Sequence, residues 1–227
     1  MQKNIMGIVV AIDGPAGSGK GTIAKRLSNE MGIINLDTGA TYRCVALASI
    51  RAGLKVEDEE EIAKLVDKLD IDIQVKQDKD YIYLNGEDVT REIRESHVTS
   101  IVSPISSIIP VRLKLVELQR RMAEGKNVVM EGRDIGTVVF PNADVKIYLD
   151  ATTEERAKRR YKENQEKGIE CNYDEVLESI KARDYNDMNK KMGALKKAEG
   201  AVEIDSTNLT IDEVVEKVKE IINEKIN

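Results

Sequence analysis

Short apolar runs alternate along the chain with longer amphipathic segments. The apolar runs are Ile8–Ile12, Asn127–Met130, Val145–Leu149 and Ala201–Ile204. Helical periodicity marks the segments Ile23–Met31, Val111–Glu124, Thr153–Lys167, Tyr173–Lys190 and Ile211–Ile226. Strands buried in a parallel sheet read as short continuous apolar runs, and helices connect them. The pattern therefore predicts an α/β fold in which helices flank a parallel sheet.

One stretch departs from this alternation. Asp72–Val75 and Tyr81–Leu84 alternate between apolar and polar residues like antiparallel strands, and the following Asn85-Gly86 favours a tight turn. The preceding Val56–Leu69 has the pattern of an acidic amphipathic helix. We expect the region of about 38–110 to be an insertion with a small antiparallel sheet.

A glycine-rich segment directly after the first apolar run carries the strongest chemical signal. Its residues, in order, are Asp13, Gly14, Pro15, Ala16, Gly17, Ser18, Gly19, Lys20, Gly21 and Thr22. Glycine, four residues and Gly-Lys between a predicted strand and a predicted helix are typical of a P-loop. Such glycines let backbone N–H groups point at phosphate oxygens, and the helix adds its positive end. A turn without a ligand is the alternative, but the lysine and both flanking elements favour nucleotide binding, with Lys20 as the charge on the transferring phosphate.

The charge and the aromatic content of the chain limit the kinds of ligand that it is expected to bind. The chain has 35 Lys and Arg against 41 Asp and Glu, a net charge of -6, and only 4% aromatic residues. Nucleic-acid backbones attract basic surfaces, and single strands are commonly bound by stacking on aromatic side chains. We therefore expect a small phosphate ligand, and no nucleic-acid polymer.

Cysteine and histidine are too sparse for several kinds of site. Cys44 and Cys171 are too few for a disulfide framework or a zinc site, and we expect two reduced thiols. His97 is the single histidine, so there is no histidine cluster or histidine-based triad. The first seven residues contain no long apolar run, which predicts a cytoplasmic protein without a membrane span.

Four further motifs follow the P-loop in order. They are Leu36-Asp37-Thr38-Gly39-Ala40-Thr41-Tyr42-Arg43, Gly132-Arg133-Asp134-Ile135-Gly136-Thr137, Leu149-Asp150-Ala151 with Glu155-Arg156-Ala157, and Arg183-Asp184 followed by Asp187. With these motifs and the Gly-Lys-Gly-Thr ending of its P-loop, the chain resembles bacterial cytidylate kinases from about Ile8 to its last helix. The resemblance implies direct in-line phosphoryl transfer from ATP, with Mg²⁺, to CMP and dCMP.

The resemblance also implies a domain organisation. A three-layer P-loop core would comprise 1–37 and 111–227, with a short helical lid at about 152–170. The inserted region 38–110 would be the monophosphate-binding part, to which the Tyr81–Val89 hairpin is similar. Nothing in the sequence indicates an obligate dimer, and we expect a monomer.

The resemblance assigns acceptor-binding roles to residues of both parts. These are Ser103, Arg112 and Asp134 with Thr38 for the base, Arg43, Arg133 and Lys190 for the phosphate, Arg183 and Asp187 for the ribose, and Tyr42 beside Arg43. A carboxylate can accept from the cytosine amino group, and a guanidinium can donate to N3 and O2 together. From the residues alone, Arg112 could instead be a solvated helix charge and Asp134 a helix N-cap.

The remaining roles concern ATP and magnesium. Arg156, Arg159 and Arg160 share one helical face, and the resemblance implies that they close over ATP, with Lys20, Arg133, Arg156 and Arg160 acting in catalysis. A solvated basic face is the alternative. Thr22 is the expected Mg²⁺ contact, partly through water, and Asp13 a weaker one behind it.

The sequence differs from the usual family pattern at two places, and it leaves two alternative functions open. Lys190 stands where the family usually has arginine, and Gly193-Ala194-Leu195 replaces the more usual Ala-Pro-Leu, which puts acceptor affinity in doubt. A kinase for another acceptor, such as UMP, AMP or shikimate, is one rival. A nucleotide-binding switch is the other, although the sequence shows no convincing DxxG-like element.

Overall fold

The computed structural model describes residues 7–76 and 79–226, so residues 1–6 of the amino-terminal run lie outside it. The elements are, in chain order, β1 (Val9–Asp13), α1 (Lys20–Met31), β2 (Ile34–Asp37), α2 (Thr38–Arg51), α3 (Glu59–Val66), β3 (Ile71–Lys76), β4 (Lys79–Leu84), β5 (Glu87–Asp88), α4 (Ser96–Thr99), α5 (Val102–Ile105), α6 (Ile109–Ala123), β6 (Val128–Gly132), β7 (Val145–Asp150), α7 (Thr153–Glu166), α8 (Tyr173–Met188), β8 (Val202–Asp205) and α9 (Ile211–Ile226). A 3₁₀ turn at Glu92–Arg94 and a π-helical turn at Ile135–Val139 lie between these elements.

The main sheet has five strands in the order β2-β6-β1-β7-β8. Strand β1 pairs in parallel with both β6 and β7, and β7 pairs in parallel with β8. All five residues of β1 are buried, as expected for a central strand with helices on both faces. The predicted α/β fold with a parallel sheet is confirmed.

The chain divides into two compact units. One comprises residues 1–35 and 126–227, and the other Leu36–Gly125. The core of the first unit joins β1, β6 and β7 to α1 and α9 through aliphatic side chains, among them Ile12, Leu27 and Val218. Aliphatic packing suits a chain that has no tryptophan and one phenylalanine.

The second unit has its own aliphatic core, in which α2 is central. Cys44, Val45 and Leu47 on this helix are buried together with Ile82 and Ile93. Strands β3, β4 and β5 form an antiparallel sheet, and Asn85 and Gly86, both with positive φ, make the tight turn between β4 and β5. The small antiparallel sheet is thus confirmed, while the domain boundaries at 38 and 110 stay a prediction.

Most predicted helices lie within two residues of their expected ends, but one is shorter than predicted. The acidic helix predicted for Val56–Leu69 is observed only at Glu59–Val66. The amides of Lys68 and Leu69 donate to carbonyls three residues back, which tightens the chain into turns after Val66.

Candidate active site

The glycine-rich segment forms a loop between the end of β1 and the start of α1. Gly14, Gly17 and Gly19 all have positive φ, which L residues with side chains adopt at a cost. At Gly14 the constraint is also steric, because a Cβ atom there would lie 2.0 Å from the carbonyl oxygen of Leu149. The loop therefore needs glycine at this position to pass beside β7.

Lys20 is the first residue of α1 and is only 4% exposed. Its Nζ donates to the carbonyl oxygen of Pro15 at 2.6 Å and to Ser18 Oγ at 3.2 Å, so the ammonium lies inside the loop. Burial lowers the pKa of Lys20 to about 7, and the positive charge of Arg133 acts in the same direction while Glu131 opposes it. A phosphate in the loop would supply the negative charge that the buried ammonium favours.

Glu131 was not identified from the sequence, although it is a polar residue at the end of an apolar run. Its carboxylate lies at the start of α1, where a Cβ on Gly21 would come within 2.9 Å of Glu131 Oε1. Any larger residue at position 21 would have to displace the end of this side chain. Glycine at position 21 thus leaves this carboxylate in place.

Asp13 holds the turn that follows β6. Its two carboxylate oxygens accept hydrogen bonds from the amides of Ile135 and Gly136, each at 2.7 Å. Burial raises the pKa of Asp13 to about 6, against the two amide bonds, which lower it. Asp134 is buried at the N-cap position of this turn, where its carbonyl oxygen accepts from the amides of Val138 and Val139, but its side chain makes no capping hydrogen bond.

Arg156 on α7 is buried. Its guanidinium donates to the carbonyl oxygens of Ala16 and Ala151, each at 2.9 Å, and to Asp184 Oδ2 at 2.6 Å. It thereby joins the phosphate loop to α7 and α8. A solvated basic face does not describe this residue.

The other two arginines of α7 have different surroundings. Arg159 is half-buried and donates to the carbonyl oxygen of Ser206 at 2.6 Å and to Glu155. Arg160 is exposed and pairs with Glu163 at 3.0 Å. The closing of these side chains over ATP stays a prediction.

A buried carboxylate on α8 gathers two cations. Asp187 accepts from Arg133 Nε and from Lys190 Nζ, both at 2.8 Å. Burial alone would raise the pKa of Asp187, but Arg133, Lys190 and the exposed Arg183 together bring it below its usual value. From the residues alone, Arg183 and Asp187, four apart on one helix face, could have been an ordinary surface ion pair, whereas Asp187 is buried between Arg133 and Lys190.

The first unit thus brings together the donor-side residues and part of the acceptor set. The phosphate loop with Lys20 is electrostatically linked to Arg133 and Arg183, and the cluster around Asp187 includes Lys190. Asp184 belongs to one of the sequence motifs but had no predicted role, and no local pattern shows that it pairs with Arg156 across 28 residues.

The second unit contains the other acceptor residues, which gather at the start of α2. Arg43 Nη2 donates to Asp37 Oδ2 at 2.5 Å, and Asp37 Oδ1 caps α2 by accepting from the amide of Ala40. Thr38 is buried in the first turn, where its carbonyl oxygen accepts from Thr41 Oγ1. The local fold fixes both Thr38 and Arg43.

Arg112 on α6 is 2% exposed, so it is not a solvated helix charge. Its guanidinium carbon lies 5.6 Å from the ring centroid of Tyr42, a cation–π distance, and its Nη1 donates to the carbonyl oxygen of Ser106 at 3.0 Å. Ser103 is partly exposed, and its carbonyl oxygen accepts from Ser106 Oγ at 2.7 Å.

A buried lysine in a glycine-rich loop, between a central parallel strand and a helix, defines the chain as a P-loop phosphotransferase. The arginine and carboxylate clusters beside it are of the kind that holds a second phosphate-bearing substrate. The family model for cytidylate kinase matches residues 10–224. The chain belongs to the cytidylate kinase family and is a nucleoside-monophosphate kinase, which confirms the resemblance found in the sequence.

Relatives and a solved structure agree with this assignment. The chain is 49% identical over 214 residues to the cytidylate kinase of Caldicellulosiruptor saccharolyticus, covering 94% of this chain and 95% of the relative. It is 50% identical over 215 residues to the cytidylate kinase of Caldanaerobacter subterraneus, covering 95% and 94%. A crystal structure of an uncharacterized protein from Eubacterium ventriosum matches with a TM-score of 0.50 at 13% identity, covering 95% of this chain and 98% of that one, which shows the fold alone. In the residues that the structure describes, no helix is both long and apolar enough to cross a membrane.

Proposed function

We propose that this enzyme transfers the terminal phosphoryl group of ATP to CMP and dCMP, giving CDP and dCDP. The observation that carries the proposal is the buried Lys20 ammonium enclosed by the P-loop in a chain of the cytidylate kinase family. In phosphoryl transfer the protein mainly positions the reactants and neutralises charge. The nucleophile is a phosphate oxygen of CMP that is already anionic at neutral pH, so no strong general base is required.

The donor side uses the loop and α7. Backbone amides of the P-loop and the positive end of α1 would hold the ATP phosphates, and Lys20 would stabilise charge on the group in transfer. Arg156 positions the loop by donating a hydrogen bond to the carbonyl oxygen of Ala16. Arg159 and Arg160 are proposed to close over ATP and exclude water, which competes with CMP as acceptor.

Magnesium fits this loop through Thr22. This residue is exposed in the first turn of α1, and hydroxyl, phosphate and water oxygens are the ligands that Mg²⁺ prefers. Both carboxylate oxygens of Asp13 already accept amide hydrogen bonds, so Asp13 would contact the ion only through water. When bound, Mg²⁺ supplies positive charge that offsets the charge of the ATP phosphates.

The acceptor side divides by chemistry. Arg43, Arg133 and Lys190 are proposed to hold the CMP phosphate, and Arg183 and Asp187 the ribose. Ser103, Arg112 and Asp134 are proposed to read the cytosine edge, with Thr38 nearby and Tyr42 packed against the Arg112 guanidinium. Burial supports these roles for Arg112 and Asp134, because a buried side chain is held in one position by its neighbours before the base binds.

An ADP-release assay over all ribo- and deoxyribonucleoside monophosphates tests the proposal. CMP and dCMP should be the best acceptors, with UMP poorer because its O4 carbonyl would face the Asp134 carboxylate. Asp134→Asn should reduce kcat/KM for CMP more than for UMP, since an amide can turn its N–H toward that carbonyl. Equal losses for both acceptors would show that Asp134 does not read the base, and equal turnover of AMP would overturn the assignment of acceptor.

We also propose that the enzyme acts as a cytoplasmic monomer. A net charge of -6 disfavours self-association, and its substrates are small. Light scattering after gel filtration should give a mass near 25.4 kDa. A mass of twice that value at micromolar concentration would contradict the monomer.

A further inference from the structure

We infer that Arg94 is a further guanidinium for the acceptor phosphate, adjacent to Arg43, and that Asp37 positions both of these arginines. The inference rests on the proposed function, since it extends the phosphate-binding set of that site. All three residues belong to the compact unit Leu36–Gly125. The sequence motifs assign no role to either Arg94 or Asp37.

Two guanidinium groups converge on a single carboxylate oxygen. Arg43 Nη2 lies 2.5 Å from Asp37 Oδ2, and Arg94 Nη2 lies 3.7 Å from the same oxygen. The first distance is a short hydrogen bond, and the second is too long for one. Arg43 therefore hydrogen-bonds the carboxylate, while Arg94 lies within ion-pair distance of the same oxygen.

Asp37 is itself fixed from the other side. Its Oδ1 caps α2 at the amide of Ala40, 3.1 Å away. A Cβ on Gly39 would lie 3.0 Å from Asp37 Oδ1 and 3.2 Å from Arg43 Nη1, so glycine leaves room for this arrangement. The Asp37 carboxylate is therefore held in one position, from which it can orient both guanidinium groups.

Arg94 is anchored although its side chain is 47% exposed. Its Nη1 donates to the carbonyl oxygen of Thr90 at 2.8 Å, and the amide of Thr90 donates to Asp88 Oδ1 at 3.0 Å. The preceding Ile93 is fully buried. An exposed arginine held at both its backbone and its guanidinium loses little further freedom when it binds an anion.

The local charge favours a phosphate. Two guanidinium groups and the positive end of a 14-residue helix face one carboxylate, which leaves a net positive charge. In addition, Arg43 Nε is buried with no hydrogen-bond partner within ranges 7–76 and 79–226, and an unsatisfied buried donor is unfavourable. A nucleotide phosphate carries close to two negative charges at pH 7 and has several oxygens, which suits two guanidinium groups.

The test compares CMP with cytidine, which lacks the phosphate. Arg94→Ala should raise the KM for CMP roughly 10- to 100-fold, the loss of a hydrogen bond between charged groups. The inhibition constant of cytidine should stay within about twofold, because the inferred contact of Arg94 is with the phosphate that cytidine lacks. The KM of Arg94→Lys for CMP should lie between those of the parent enzyme and Arg94→Ala. The control Arg91→Ala removes an exposed arginine three residues away and should have the KM of the parent enzyme.

A double-mutant cycle tests the positioning role of Asp37. Asp37→Asn should raise the KM for CMP and spare cytidine, and its effect should be smaller when Arg94 is already alanine, with the remainder due to its contact with Arg43. Independent effects in the cycle would overturn the positioning role. Thermal unfolding of each variant separates these effects from loss of the fold.

The outcomes distinguish this inference from the proposed function. If the parent enzyme phosphorylates CMP but Arg94→Ala leaves the KM unchanged, or weakens CMP and cytidine equally, only the role of Arg94 is overturned. If the parent enzyme does not phosphorylate CMP at all, both are overturned.

Discussion

Burial separates the cationic side chains near the proposed site into two groups. Lys20, Arg112 and Arg156 are each at most 4% exposed, whereas Arg160 and Arg183 are exposed. A buried cation is stable only with specific partners, such as the carbonyls and the carboxylate around Arg156. Arg156 links the P-loop to α8, so its substitution should lower the stability of the fold. Lys20 is proposed to act on the transferring phosphate, so its substitution should lower activity.

Lys20→Ala should reduce kcat about 100- to 1,000-fold, the scale expected when one charge is removed from a transition state. The fold should survive, because alanine retains the helix and leaves no buried charge unpaired. Steady-state kinetics and circular dichroism measure the two effects. Lys25→Ala, an exposed lysine on the same helix, is the control and should leave kcat unchanged.

Lys190→Arg should lower the KM for CMP several-fold. The arginine can keep the contact with Asp187 and offer a second N–H in the same plane to the phosphate, which an ammonium cannot do. The neighbouring Lys191→Arg, at an exposed position, should have no effect. An unchanged KM in Lys190→Arg would show that position 190 does not bind the phosphate.

At the scale of elements, the loop between β1 and α1 depends on backbone geometry at its first glycine as well as on the side chains of Lys20 and Arg156. Gly14 has no room for a side chain. Gly32, the C-cap of α1, also has positive φ, but a Cβ atom added to it would meet no other atom of the described residues within 4 Å. Both φ values are positive, 154° at Gly14 and 67° at Gly32, but only at Gly14 would an added Cβ atom also collide with the backbone.

Gly14→Ala should abolish ATP binding and lower the melting temperature, because its methyl group collides with a backbone carbonyl that cannot rotate away. Gly32→Ala should cost only about 1–2 kcal/mol of stability, the penalty of a left-handed conformation, and leave ATP affinity intact. Isothermal titration with ATP and thermal unfolding give both quantities. Similar behaviour of the two variants would contradict this loop geometry.

Helix α2 should protect its cysteine from modification. Cys44 is fully buried, and burial raises the pKa of its thiol to about 12, whereas Cys171 is partly exposed. A thiol reagent at pH 8 should label Cys171 rapidly and Cys44 only after unfolding. Rapid labelling of both thiols in the native protein would show that α2 is not packed in this way.

Sequence periodicity revealed the elements that have one apolar face or one apolar run. It found β1, α9 and the hairpin, since their buried and exposed positions differ clearly. It missed α2, because almost every residue in Thr38–Ser49 is buried and a helix buried all round shows no 3.6-residue pattern. It began α6 two residues late, at Val111, because Pro110 is tolerated in a first helical turn.

At the scale of the whole molecule, two compact units divide the predicted site. Arg112 and Arg43 belong to the unit Leu36–Gly125, and Lys20, Arg133 and Asp134 to the other. The order of the motifs along the chain indicated the family, although the last of them, Arg183-Asp184 with Asp187, lies within α8. The pairing of Arg156 with Asp184 and of Arg94 with Asp37 was not predictable, since no local pattern specifies contacts between residues so distant in sequence.

Phosphoryl transfer to CMP is tested most simply by the rate of ADP formation with and without CMP, together with the amount of CDP produced. We predict very slow ATP hydrolysis alone, an increase of several orders of magnitude on adding CMP, and one CDP for each ADP. An ADP rate that does not respond to CMP, or ADP formed without CDP, would contradict the proposed transfer.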